Sequence, residues 1–141
     1  MLLEINTKAP EFNLPDQEGT LISLSSLKGK KIVLWFYPKA STPGWTIEGK
    51  GFRDEFQKFN DLNVVILGAS ADSVQRQKNF CTKQNFPFSL LSDPEHSMLE
   101  DYKVWGKKKF MGREYMGISR ITYIINEEGI VQYVFETVKT N

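Results

Sequence analysis

The chain has 141 residues, 40% of them hydrophobic and 25% charged, with a formal net charge of +1. That length builds one core and is short for two, so a single domain spanning residues 1–141 is expected. The near-neutral balance, without a basic stripe, excludes a nucleic-acid footprint, and no apolar run approaches the roughly 20 residues that cross a bilayer.

The first residues, Met-Leu-Leu-Glu-Ile-Asn, lack a basic start followed by an apolar core, so no signal peptide is expected. Cys81 is the sole cysteine. It allows no internal disulfide and fits a reducing cytoplasm. One His and one Cys cannot assemble a zinc site, and no Asp-x-Asp-x-Asp loop is present. Neither a metal nor a cofactor is therefore expected.

In chain order, Phe12-Asn13-Leu14 and Leu21-Ile22-Ser23-Leu24 flank a turn, Pro15 to Gly19, and predict a short hairpin. Lys31 to Tyr37 is apolar after its first residue, the pattern of a strand covered on both faces, and Pro38 ends it. Thr42 or Thr46 can cap a following helix, with Phe52, Phe56 and Phe59 on its apolar face. Asn63 to Ala69 reads as a second buried strand, and Ser73 as the cap of a helix to about Gln84. Phe88 to Leu91 is a short strand, and Asp93-Pro94 opens a helix through Met98, Leu99 and Tyr102. Lys107-Lys108-Lys109 reads as a solvated loop. Arg120 to Ile125 and Ile130 to Phe135 form a hairpin across Asn126-Glu127-Glu128-Gly129.

A β-hairpin, then βαβαβ, then a helix and a final hairpin require parallel crossovers with antiparallel strands added. The expected fold is α/β and thioredoxin-like: a mixed central sheet flanked by helices, with an N-terminal β-hairpin. Chains of this kind usually close with a further helix. Here the sequence stops at Val138-Lys139-Thr140-Asn141, so that C-terminal helix is expected to be missing.

Residues 36 to 54 carry the functional signal: Phe-Tyr-Pro-Lys-Ala-Ser-Thr-Pro-Gly-Trp-Thr-Ile-Glu-Gly-Lys-Gly-Phe-Arg-Asp. The frame Pro38-x-x-x-Thr42-x-x-Trp45 resembles the peroxiredoxin active-site motif Pro-x-x-x-Thr-x-x-Cys, with an indole where the motif has its thiol. The wider string is similar to the Q-type peroxiredoxins, or bacterioferritin comigratory proteins, and the resemblance extends from Ala9-Pro10-x-Phe12-x-Leu14 to Gly129-x-Val131.

The resemblance implies thiol-dependent reduction of hydrogen peroxide and organic hydroperoxides, with thioredoxin as reductant. It implies that position 45 holds the nucleophile at a helix N-terminus, where the dipole favours a thiolate. Thr42 would hold a peroxide oxygen, Pro38 would shield the pocket, and Arg120, behind Tyr115-Met116-Gly117-Ile118, would supply the cation. For an isolated Arg120 the plain reading is a strand-edge residue facing solvent. Cys81 lies 36 residues beyond Trp45, where one subgroup carries its resolving thiol; otherwise it is a small buried hydrophobe.

Tryptophan has no ionisable thiol, so the chain as it stands is expected to be catalytically silent. Local unwinding over residues 42 to 50 is expected to let the bulky Trp45 side chain leave the pocket. Two histories fit: a peroxidase that lost its nucleophile, or an active enzyme into which tryptophan was placed. A monomer or weak dimer in the cytoplasm is expected, with no nucleic-acid or membrane partner. The rival expectation is a non-enzymatic thioredoxin-fold binding protein. His96 is expected to be an exposed first-turn helix residue, and Trp35 and Trp105 to be core and loop-packing aromatics.

Overall fold

The computed structural model describes residues 2–37, 50–51, 54, 56–110 and 112–136. Pro38, Thr42, Trp45, Thr46 and Phe52 lie outside the described residues, as do residues 42–49 of the expected unwinding and 137–141; Lys50, the last residue of that stretch, is helical rather than unwound.

Strands β1 (Asn13–Pro15) and β2 (Leu21–Ser23) pair antiparallel, as the turn residues between them predict. The central sheet holds β3 (Lys31–Phe36), β4 (Val64–Ser70), β5 (Ser89–Ser92), β8 (Ile121–Ile125) and β9 (Val131–Glu136). Its spatial order is β5-β4-β3-β8-β9. β3, β4 and β5 are parallel, whereas β8 runs antiparallel to both β3 and β9. The sheet is therefore mixed, and its middle strand is the apolar run the sequence marks out.

Alternation along β3 explains why that run is unbroken. Ile32, Leu34 and Phe36 enter one core with Tyr102, Tyr123 and Leu99. Val33 and Trp35, with Tyr37 beyond the strand, enter the other with Phe80, Phe86, Phe88 and Leu90. Successive residues on a strand point to opposite faces, so a strand covered on both needs apolar groups at every position. Gly68 on β4 makes the second core possible. A Cβ there would lie 3.1 Å from both the Trp35 and Tyr37 rings and 2.7 Å from Leu90.

Helix α1 (Phe56–Asp61) packs Phe56 and Phe59 onto the second core. Helix α2 (Val74–Gln84) starts at Ser73, whose hydroxyl accepts from the Arg76 N–H at 3.2 Å, and ends at Asn85 in the left-handed conformation. The first core is tied to the chain start through hydrogen bonds. The Tyr102 hydroxyl donates to the Pro10 carbonyl at 2.7 Å, and the Tyr123 hydroxyl to the Tyr102 carbonyl at 2.7 Å.

Three sequence expectations are corrected. Helix α3 (Ser97–Asp101) begins four residues after Asp93, not at it. The Asp93 carboxylate reaches forward instead, accepting from the Leu99 N–H at 2.9 Å and the Ser97 hydroxyl at 3.2 Å. His96 is not an exposed first-turn residue: it precedes the helix with φ 66°, is half-buried, and stacks on Trp105 at 3.8 Å between centroids. Lys107 to Lys109 are not a loop. They belong to β6 (Trp105–Phe110), which pairs antiparallel with β7 (Arg113–Ile118), so Trp105 is a strand residue too.

Candidate active site

The parallel strands deliver their C-terminal ends to one edge of the sheet, and Tyr37, the last described residue before the chemistry-bearing stretch of the sequence, lies there. Tyr37, the residue before Pro38, extends β3 by donating its N–H to the Ala69 carbonyl at 3.2 Å. On the other side of β3, Trp35 pairs with Thr122. Continuing that register by two residues sets Tyr37 level with Arg120, which precedes β8. Arg120 and Tyr37 therefore share one end of adjacent strands. Arg120 is half-buried rather than splayed into solvent.

Beneath this edge runs a buried polar chain. The Tyr37 hydroxyl donates to Gln77 Oε1 at 2.5 Å. Gln77 Nε2 donates to Ser70 Oγ at 3.0 Å and to the Leu91 carbonyl at 2.6 Å. Ser70 Oγ donates in turn to Asp72 Oδ2 at 2.7 Å, and Asp72 Oδ1 lies 3.7 Å from the Arg76 guanidinium. Tyr37, Gln77 and Ser70 are fully buried, so each unpaired polar atom would be costly. Burial pushes the Tyr37 phenol well above its ordinary value, the nearby Asp72 charge adding to the effect, and the hydroxyl stays a donor. The network fixes the end of β3 against α2 and the ends of β4 and β5.

Cys81 sits one turn beyond Gln77 on α2, half-buried. Its Sγ donates to the Phe86 carbonyl at 3.1 Å and accepts from Gln17 Nε2 at 3.4 Å. Burial pushes the thiol above its ordinary value, and the Glu18 and Asp16 carboxylates add to the shift, opposed by the Gln17 donor. At neutral pH the group is a protonated thiol with its proton committed to a carbonyl.

Of the sequence-predicted site residues, Arg120 stands at the sheet end with Tyr37, and Cys81 stands on the helix that covers the same core. Pro38, Thr42 and Trp45 lie outside the described residues. No group of three or more His, Cys, Asp or Glu suited to a metal occurs among the described residues. No described helix is long and apolar enough to cross a membrane.

The AhpC/TSA family model matches residues 5–134. The chain is 48% identical over 129 residues to Peroxiredoxin Bcp of Bacillus subtilis, covering 92% of this chain and 82% of that relative. The fold superposes on Xanthomonas campestris bacterioferritin comigratory protein with a TM-score of 0.89 and 34% identity, over 96% of this chain and 89% of that one. That protein is described through its alkyl peroxide reduction activity. This chain belongs to the Bcp/peroxiredoxin Q group of the AhpC/TSA family.

Peroxiredoxins of this group are thiol-dependent peroxide reductases, and their thioredoxin-like fold is the one described above. Xanthomonas campestris Peroxiredoxin Q has also been solved with either of two cysteines replaced by serine. Those structures have TM-scores of 0.86 and identities of 38% and 37%, and cover 91% of this chain and 81% and 82% of theirs. The two replaced positions are 36 residues apart in that protein. Sequence reasoning about this peroxiredoxin missed Gln77 and Gln17. Gln77 carried a faint signal, a polar residue in helical register with Val74, Phe80 and Cys81; Gln17 carried none beyond its place in a turn.

Proposed function

We propose that this chain is a peroxiredoxin of one domain whose nucleophile position is occupied by Trp45, so that peroxide reduction is arrested at its first step. The observation that carries the reading is the cysteine inventory. Cys81 is the sole thiol, and the 36 residues between Trp45 and Cys81 equal the separation of the two cysteines replaced in the Xanthomonas protein.

In the reaction that the frame serves, a thiolate at position 45 attacks one oxygen of a hydroperoxide. An S–O bond forms, the O–O bond breaks, and the alkoxide or hydroxide leaves and takes up a proton. Arg120, with Thr42 and the amides at the helix start, would hold the peroxide in line and stabilise the departing charge. The resulting sulfenic acid would condense with the Cys81 thiol, releasing water and forming a disulfide. A dithiol reductant such as thioredoxin would return two electrons and two protons. Cys81 is the attacking sulfur of this second step, so its thiol would have to give up its proton as the S–S bond forms and water leaves. The indole of Trp45 offers only an N–H donor and cannot begin the sequence.

Peroxide consumption with a thioredoxin system, measured on the chain and on Trp45→Cys, tests this reading. No turnover above a protein-free control is expected for the chain, and turnover for the variant. Turnover by the chain itself, surviving alkylation of Cys81, would overturn it.

A further inference from the structure

The tip of the N-terminal hairpin reaches the Cys81 thiol through one side chain. Asp16 builds the turn between β1 and β2: its Oδ1 accepts from the Glu18 and Thr20 N–H groups at 2.9 and 3.1 Å. Its Oδ2 accepts from the Ser89 hydroxyl at 3.2 Å, which pins the turn to β5, the outermost strand of the sheet. Gln17, held on this turn, lies along the exposed side of that strand. Its Oε1 accepts from the Leu90 N–H at 2.9 Å. Its Nε2 faces the Phe88 carbonyl at 3.5 Å and Cys81 Sγ at 3.4 Å.

An amide with its oxygen bound to Leu90 can present only its NH₂ to the sulfur. The sulfur therefore receives a hydrogen bond on that side and must direct its own proton elsewhere, to the Phe86 carbonyl at 3.1 Å. We propose that Gln17 is a positioning residue for Cys81: its side-chain amide holds the thiol against the edge strand and sets the direction in which the S–H points. The consequence for chemistry rests on the role of Cys81 argued above, whereas the positioning itself does not. The charged and titratable groups facing the sulfur are Glu18 and Asp16 from the hairpin turn and the Tyr37 phenol from the end of β3. The two carboxylates disfavour a thiolate, whereas the phenol stays neutral; Gln17 opposes the carboxylates as a donor to the charged form.

Because Cys81 is the only cysteine, alkylation by iodoacetamide as a function of pH reports on this thiol alone. Gln17→Glu keeps an acceptor for the Leu90 N–H but replaces the donor to sulfur with a negative charge. The apparent thiol pKa should rise, and the alkylation rate at pH 8 should fall about tenfold for each unit of rise. The limiting rate at high pH should change little. A purely structural role for Gln17 would move the melting temperature and leave this pH profile where it was. Gln17→Asn, uncharged and one methylene shorter, provides the second arm if the glutamate variant does not fold. Its amide falls short of Sγ, so the profile should move in the same direction by a smaller amount. Profiles superimposable on the parent's in whichever variants fold would overturn the proposal. Failure of Trp45→Cys to form a bond with Cys81 would instead remove the assigned role of Cys81 and leave the positioning result standing.

Discussion

The hydroxyl of Tyr37 and the amide of Gln77 meet at 2.5 Å across two elements that are 40 residues apart in sequence. One of them ends the central strand and the other lies in the middle of α2. Their contact sets the height of the helix over the end of the central strand. Replacing Gln77 by leucine would leave the Tyr37 hydroxyl and the Leu91 carbonyl buried without this partner. A loss of about 2–4 kcal/mol in urea unfolding at neutral pH is expected. Gln77→Glu should be little better, since it trades the Nε2 donor for a charge in the same buried position.

Gly68 should tolerate no side chain. The flexible end of Leu90 can retreat from a new methyl, but the Trp35 and Tyr37 rings are both fully buried and pack against each other, tilted, with centroids 4.6 Å apart. Gly68→Ala is expected to cost about 1–3 kcal/mol of stability, measured by thermal or denaturant unfolding. The strand's own preference for alanine over glycine offsets only part of this.

Alkali should unfold the protein. Burial raises the phenols of Tyr37 and Tyr102 above their ordinary value of 10.0. Between that value and the raised one the unfolded chain loses protons that the folded chain keeps, so stability falls as pH rises. Below about pH 9 no loss from these groups is expected; above about pH 10 each adds a decline of about 1.4 kcal/mol per pH unit. Denaturant unfolding at pH 8, 10 and 11 measures this. Tyr37→Phe should be less stable at pH 8, through loss of the bond to Gln77, yet show a shallower alkaline slope.

In the Trp45→Cys background, Arg120→Met should lower kcat/KM for a hydroperoxide by about 10²–10³, the range for removing one donor to developing charge. Its melting temperature should change little by comparison. Equal activity with and without the guanidinium would return Arg120 to the plainer reading of a strand-edge residue.

The same background tests Cys81. Peroxide treatment is expected to join positions 45 and 81, seen as a loss of two hydrogens in the intact mass. Such a bond requires Cα atoms within about 7 Å. If both thiols still alkylate fully after oxidation, Cys81 is a core residue only.

What the sequence makes legible here follows from how local each signal is. The buried strands at Lys31 and Val64 announce themselves by unbroken apolar runs, and α2 by Ser73 at its start. The closing hairpin shows through Asn126, whose side chain accepts from the Glu128 and Ile130 N–H groups, and Gly129 at φ 81°. The β6–β7 pair is hidden because three consecutive lysines break the alternation that marks a strand. Backbone pairing with Arg113–Ile118 and a turn at Gly112, φ 79°, hold it instead. At the candidate site, Cys81 and Arg120 are legible through the frame around Trp45. Gln17 and Gln77 are not, since Gln17 acts through Cys81 and Leu90, and Gln77 chiefly through Tyr37 and Leu91, partners far along the chain that no local pattern encodes.

The first residues of the chain close half of an otherwise open border. The Asn6 N–H donates to the Val131 carbonyl at 2.7 Å, the Val131 N–H to the Thr7 carbonyl at 2.8 Å, and the Ala9 N–H to the Gly129 carbonyl at 2.9 Å. This segment therefore lies along the outer side of β9 and uses up the hydrogen-bonding groups at its start. Among the described residues, Tyr133 and Phe135 are what remains, both about half exposed and with rings 6.2 Å apart. Among the described residues, a strand from another copy would find two outward-facing ones on which to build a ladder. That is too short to hold by backbone bonds alone, so any self-association along this border would depend on those two rings. An extension fused ahead of Met1 that pulled the segment away would double the length of the border and invite sheets to grow from molecule to molecule.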